Sequence, residues 1–397
     1  MQVTIPSMEV NKLMDKPLFD SLEIRQFRAF DYIKIEQLGH INLFLGKNNV
    51  GKSTLLESLC LHANLGSPQV IQWILNGRDE PGEMRHGNTV DPTVWSLFHG
   101  HPALERIKES IQIGRVGAPD SALTLSVTWL RKASDVDSSG GASDGSGSGA
   151  GVQPGQEYVE VGPPEASDGE GPIPALVVKY GSMRRVLRLD EAYDDLCRRW
   201  NLQTRSYRDL ATPCVHVGPG GLDDAGLRSL WEKVVLTDAK KDVIEAMQII
   251  APETDDFALL HARDQASSIR LRLRGSDVPV PIRTMGDGMN RLFGLGMALG
   301  CAKGGILLVD EIENGIHWSV LPDVWKFVVK VAKRLGVQVF ATTHSNDCLK
   351  AFQVGTKGDP DMDGVAVRIE RKDGEFIAEI FDEKRLAVIV KEAIEIR

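Results

Sequence analysis

An α/β fold with a largely parallel sheet is predicted by three short apolar runs, each ending in residues with ligand chemistry. Ile41-Asn42-Leu43-Phe44-Leu45 leads into Gly46-Lys47-Asn48-Asn49-Val50-Gly51-Lys52-Ser53-Thr54. Gly305-Ile306-Leu307-Leu308-Val309 ends in Asp310-Glu311, and Val337-Gln338-Val339-Phe340-Ala341 ends in Thr342-Thr343-His344. Apolar runs of this kind mark strands covered on both faces, and α/β sheets place their ligands at the carboxyl ends of such strands.

The first run carries the most specific signal. Gly46, four residues, then Gly51-Lys52-Ser53 has the spacing of a phosphate loop. Glycines let the backbone wrap a polyphosphate without Cβ clashes, so that successive N–H groups point inward. The apolar helix that follows (Leu55, Leu56, Leu59, stopped by Gly66) adds its unpaired N–H groups and the positive end of its dipole. In such a site Lys52 would bridge the β- and γ-phosphates of a nucleotide and the Ser53 hydroxyl would hold Mg²⁺. The acidic strand supplies the complement: Asp310 would orient the Mg²⁺ shell, and Glu311 would polarise the attacking water.

Residues 18–38 alternate apolar and polar and predict a hairpin turning at Arg28-Ala29-Phe30-Asp31. Arg25, Phe27, Arg28 and Phe30 either meet the nucleotide or serve as core aromatics and solvated arginines. Trp73, Trp95 and Phe98 are expected core anchors of a small lobe. A strand is expected at 121–130, and strand pattern resumes over 174–189. Between them, residues 133–172 hold eight acids and no base around a Ser/Gly-rich run, which predicts a disordered, linker-like loop. Without it the formal charge of −9 nearly vanishes, so net charge does not argue for or against a nucleic-acid partner. The basic stretches at 179–208 and Arg270, Arg272 and Arg274 fit either a nucleic-acid backbone or the solvated face of an antiparallel sheet. Residues 222–250 predict an amphipathic helix. No run reaches the ~18 apolar residues of a membrane span. The N-terminus lacks the parts of a signal peptide, and the five scattered cysteines predict reduced core residues, so a cytoplasmic protein without membrane association is expected.

Two further pieces narrow the class. Thr284-Met285-Gly286-Asp287-Gly288-Met289 precedes an apolar helix, and an amphipathic helix (Leu321, Val324, Trp325, Val328, Val331, Leu335) closes at Gly336 before the His344 strand. Strand, phosphate loop, glycine turn with helix, Asp-Glu strand, helix and Thr-Thr-His strand follow the order of an ABC-type ATPase. On Phe27-Arg28-Ala29-Phe30, Gly46–Thr54, Gly286-Asp287-Gly288, Asp310-Glu311 and His344, the chain resembles the OLD-like AAA-type ATPases related to SMC and RecF heads, many of them encoded in bacterial antiphage defence systems. That resemblance implies that Gly286, Asp287 and Gly288 act as the signature motif on a neighbouring subunit's ATP, and that His344 is the switch sensing its γ-phosphate. Thr284 or Met285 stands where an ABC signature carries serine.

The expected fold is therefore a P-loop NTPase of the ABC-ATPase head type. Residues 1–66 would form its first part, 67–283 an inserted lobe, and 284–397 the part with signature, Walker B strand and His switch. An antiparallel sheet is expected from 18–45, 121–189 and 265–283. A homodimer or higher homo-oligomer with ATP and Mg²⁺ at its interface would hydrolyse ATP, and a RecF/SMC-like DNA-binding repair ATPase is the alternative. A transporter subunit fits the long insert poorly, and no N-K-x-D motif supports GTP. OLD-type proteins carry a TOPRIM nuclease domain after the head. Here residues 345–397 read as a hairpin at Asp373-Gly374 and a terminal helix, and Asp359, Asp361 and Asp363 as a solvated loop. A separate effector protein, of which a nuclease is one candidate, docked on the basic lobe, is expected instead.

Overall fold

The alternating run near the N-terminus folds as a hairpin of β1 (Leu22–Phe27) and β2 (Phe30–Ile35), with Arg28 left-handed at the turn, φ 51°. The computed structural model describes residues 16–78, 93–133, 158–164, 171–191, 193–204, 207, 210–222, 224–260, 268–357, 362–382 and 385–388. The Ser/Gly-rich run, Asp359, Asp361 and the end of the expected terminal helix lie outside these residues. The chain divides into two units, one of Met1–Leu22, Ile33–Ala63 and Thr212–Arg397, the other of Glu23–Tyr32 and Asn64–Ala211. Residues 212–283, expected in the inserted lobe, thus group with the phosphate loop.

The second unit carries an antiparallel sheet ordered β2-β1-β4-β5-β7-β8, with β6 paired to β5. Its other members are β4 (Ile111–Gly114), β5 (Leu123–Lys132), β6 (Tyr158–Val161), β7 (Ile173–Tyr180) and β8 (Met183–Arg188). The strand pattern over 174–189 folds as two strands, reversed at Gly181 with φ 53°. Strand β4 is too short to show a period, which is why sequence alone leaves it out. Helix α1 (Lys52–Ala63) belongs to the first unit; α2 (Pro68–Asn76) and α3 (Tyr193–Gln203) belong to this one. Helix α2 is capped by Ser67 and buries Ile71, Ile74 and Leu75. Trp73 falls off that stripe and is 39% exposed, so it is not a core anchor; Phe98 is buried and Trp95 half-buried. Among the described residues of the basic stretch, Arg184 pairs with Glu160, Arg188 with Asp190, Arg198 with Asp195 and Arg199 with Glu191.

In the first unit, a six-stranded sheet runs β16-β15-β3-β14-β13-β9. The strands are β3 (Ile41–Leu45), β9 (Cys214–Val217), β13 (Ile306–Val309), β14 (Gln338–Thr342), β15 (Gly364–Lys372) and β16 (Glu375–Phe381). All neighbours are parallel except the β15–β16 hairpin, which turns at left-handed Asp373 and Gly374. Residues 41–45 belong here, as their apolar run predicts, and not in the antiparallel sheet where the broader range 18–45 would put them; their uninterrupted burial requires cover on both faces. The described residues of 265–283, in β11 (Ser268–Leu273) and β12 (Val280–Pro281), instead join β10 (Thr254–Leu260) in a separate three-stranded sheet.

The expected single helix over 222–250 is two, α4 (Asp224–Val234) and α5 (Ala239–Gln248). The Thr237 hydroxyl bonds back to the carbonyls of Lys233 and Val234 and closes the first early. Helices α6 (Asp287–Cys301), α7 (Leu321–Leu335) and α8 (Asn346–Thr356) complete the unit. Gly336 caps α7 in the left-handed region. Trp325 of α7 is fully buried with its ring edge-on to Phe352 of α8, centroids 4.9 Å apart. The two helices approach so closely that a Cβ at Gly355 would lie 2.3 Å from that of Trp325. Gly355→Val is therefore expected to lower stability by about 3 kcal/mol, read as a lower midpoint in thermal or urea unfolding.

Candidate functional site

The carboxyl ends of three adjacent parallel strands, β3, β14 and β13, meet at one edge of the sheet. From β3 the chain enters the phosphate loop. Gly46 takes φ 144°, Asn49 65° and Gly51 90°. A Cβ at Gly46 would sit 2.5 Å from the Ile369 carbonyl and 2.9 Å from Val50 Cγ2, so only glycine lets the chain turn there. Lys47, Asn48 and Asn49 are exposed, while Lys52 and Thr54 are buried. Lys52 Nζ donates to the carbonyls of Gly46 (2.7 Å) and Lys47 (2.9 Å). Burial pulls its pKa below the usual amine range, against the opposing pull of Asp310, Glu311 and Glu313.

Ser53 Oγ donates to Asp310 Oδ2 at 2.7 Å, so the two expected Mg²⁺ residues already meet. The other oxygen of Asp310 accepts from the Thr342 hydroxyl, and Thr342 Oγ1 in turn accepts from Glu311 N at 2.8 Å. One buried threonine of β14 thus fixes both acids at the end of β13. Glu311 takes φ 48°, unusual for a residue with a Cβ. His344 Nδ1 lies 3.6 Å from Glu311 Oε1 and 3.9 Å from Glu313 Oε1. Glu313 also accepts from the Thr343 hydroxyl at 2.6 Å and so ties the His344 strand to the acidic loop.

Arg291, on α6, is buried and grips the same loop from behind. Nη2 donates to the carbonyls of Asp310 (2.6 Å) and Glu311 (2.9 Å), and Nη1 to that of Gly218 (2.5 Å). Burial depresses its pKa, opposed by Glu313, Asp310 and Glu311. His216 of β9 is held neutral, its pKa pushed down to about 4 by burial despite the nearby Asp310. Sequence reasoning missed Thr342, Glu313 and Arg291. The signal for Arg291 was available: a lone cation in an otherwise apolar helix (Leu292, Phe293, Leu295) has to find buried acceptors.

The glycine turn expected as the signature precedes α6 after a 3₁₀ turn over Ile282–Met285. Gly286 takes φ 92° and opens onto free space, whereas a Cβ at Gly288 would meet the Gly315 carbonyl at 3.0 Å and Ile250 Cδ1 at 3.1 Å. Gly286–Gly288 therefore packs beside the loop that follows Glu311. A cavity of about 570 Å³ lies between this turn and Asn314, lined also by Arg283, Asn290 and Phe293. Asp363 pairs with His40, Nδ1 at 2.5 Å. Among the described residues no cluster of three or more His, Cys, Asp or Glu could hold a metal ion, and no helix is long and apolar enough to cross a membrane.

A phosphate loop between strand and helix, with an acid-tipped strand and a third strand ending in Thr342-Thr343-His344 beside it, defines a P-loop nucleoside triphosphatase fold. The chain belongs to the family described as "AAA domain, putative AbiEii toxin, Type IV TA system", whose model matches residues 41–347. The uncharacterized protein MJECL10 of Methanocaldococcus jannaschii is 37% identical over 54 residues, 14% of this chain; the match spans only 25% of that relative. Solved structures similar to the chain include SMC heads at 10% identity. One, bound to the C-winged helix domain of ScpA, matches over 94% of this chain and 100% of its own, with a TM-score of 0.45. A Pyrococcus furiosus Smc head with an extended coiled coil, bound to the C-terminal domain of ScpA, matches over 95% and 99%, also at 0.45. The Thermotoga maritima head matches over 91% and 98%, at 0.40.

Proposed function

We propose that the chain is a Mg²⁺-dependent ATPase that closes as a homodimer around ATP and controls a separate effector, in the manner of antiphage defence ATPases. The observation that carries this reading is the convergence of Ser53, Asp310 and Glu311 at one sheet edge, with Ser53 and Asp310 in direct hydrogen-bond contact. Hydroxyl and carboxylate oxygens are the donors Mg²⁺ takes, and a glycine loop at a helix start offers backbone N–H groups to phosphates, so these residues fit both groups. Ser53 and Asp310 would hold the ion, which neutralises charge on the phosphates. Lys52 would leave its loop carbonyls for the β- and γ-phosphate oxygens. Glu311 would accept a proton from the attacking water, and His344, next to Glu311, would hydrogen-bond the γ-phosphate.

The glycine turn would complete the site in trans. Gly286 opens onto free space, leaving its backbone accessible to a neighbouring subunit's ATP. With ATP and Mg²⁺, Glu311→Gln is expected to run as a dimer in light scattering. Gly286→Arg should bind ATP yet hydrolyse it poorly. Mixing Gly286→Arg with Lys52→Ala is expected to restore activity, because each mixed dimer regains one intact site. A monomeric Glu311→Gln, or no recovery from mixed dimers shown to form, would contradict the arrangement. The pairing of Arg184, Arg188, Arg198 and Arg199 with acids, including the bonds of Arg188 to Asp190, favours a solvated or protein-binding face over a DNA-repair role.

A further inference from the structure

The loop after the acidic strand turns sharply, with Asn314 N donating to the Glu311 carbonyl at 3.0 Å. That turn carries the Asn314 side chain back onto the carboxylate. Its Nδ2 lies 2.5 Å from Glu311 Oε2, with a second, longer contact of 3.4 Å to the Pro219 carbonyl. The backbone of Glu311 is pinned by Thr342 and Arg291, but neither of those bonds reaches its side chain. The carboxylate is partly exposed, and three torsions separate it from the pinned backbone. His344 stands off Oε1 at 3.6 Å, so the amide of Asn314 makes the shorter contact to the carboxylate.

We infer that Asn314 is a positioning residue for hydrolysis, a hydrogen-bond donor that holds the Glu311 carboxylate in one rotamer, aimed at the attacking water. The inference rests on the proposed role of Glu311 as base. Asn314 acts through Glu311 alone and has no part in holding the phosphates. It also contributes little packing, since it borders the 570 Å³ cavity. Its value is therefore chemical: an amide donates to a carboxylate, whereas an aspartate of the same size presents a second acceptor and repels it.

The test is steady-state and single-turnover ATP hydrolysis by the full chain carrying Asn314→Ala, Asn314→Asp or Glu311→Gln, and by the Asn314→Ala, Glu311→Gln double variant. Both single Asn314 variants are expected to lose roughly 10–100-fold in kcat with KM and ATP affinity nearly unchanged. Asn314→Asp, despite its matching shape, should be at least as impaired as Asn314→Ala. In the Glu311→Gln background, Asn314→Ala should add no further loss, because both act on one step. Wild-type kcat in Asn314→Asp, or an equal further loss in the double variant, would overturn the inference while leaving Glu311 as base. Wild-type turnover by Glu311→Gln would instead overturn the reading beneath it.

Discussion

Lys52→Ala is expected to lower ATP affinity by roughly 100-fold, the worth of about 3 kcal/mol in charge-assisted hydrogen bonds. The ammonium is buried at the mouth of the phosphate loop and bonds only loop carbonyls, those of Gly46 and Lys47. These are oxygen acceptors that phosphate oxygens would replace. Its removal leaves those two carbonyls short of a donor, so the unliganded protein should melt somewhat below the wild type. ATP should raise the wild-type Tm by linkage and raise that of Lys52→Ala much less at the same concentration. Equilibrium titration and thermal melts with and without ATP measure both effects. An undiminished ATP-induced rise in Lys52→Ala would show that the loop binds phosphate without this cation.

Arg291→Ala is expected to damage stability and turnover together. The side chain satisfies three carbonyls, those of Gly218, Asp310 and Glu311, from inside the body. Truncation leaves them short of donors where water has little access, a cost of about 3 kcal/mol. It also frees the backbone that holds Glu311 at φ 48°, so kcat should fall more than ATP affinity. Arg291→Lys, one ammonium in place of a planar fork, should recover only part of either loss. Urea unfolding and single-turnover hydrolysis read the two effects separately. Wild-type behaviour in Arg291→Ala would show that the acidic loop is held by Thr342 alone.

The parts of the site legible in the sequence are those that local chemistry dictates. Gly46, Gly51, Lys52 and Ser53 are recognisable because a phosphate cradle needs those residue types at that spacing, and Asp310-Glu311 because acids end an apolar run. The parts that were not legible depend on partners far along the chain. Thr342 looks like any strand residue until β14 lies beside β13. Asn314 looks like a turn residue until the loop folds back on Glu311. The same limit holds for the fold. The strand pattern over 18–45 and 265–283 does not say which sheet each strand joins, and the break at Thr237 depends on a side-chain hydrogen bond invisible to an apolar stripe.

The central claim is that the edge formed by β3, β13 and β14 hydrolyses ATP with Glu311 as base. Single-turnover hydrolysis of ATP labelled at the γ-phosphate, with Mg²⁺ and excess protein, tests it most directly when wild type and Glu311→Gln are run in parallel. The predicted result is γ-phosphate release by the wild type and retention of intact, bound ATP by Glu311→Gln, at a rate at least about 100-fold lower. Equal rates for the two proteins, or intact ATP on both, would contradict the account.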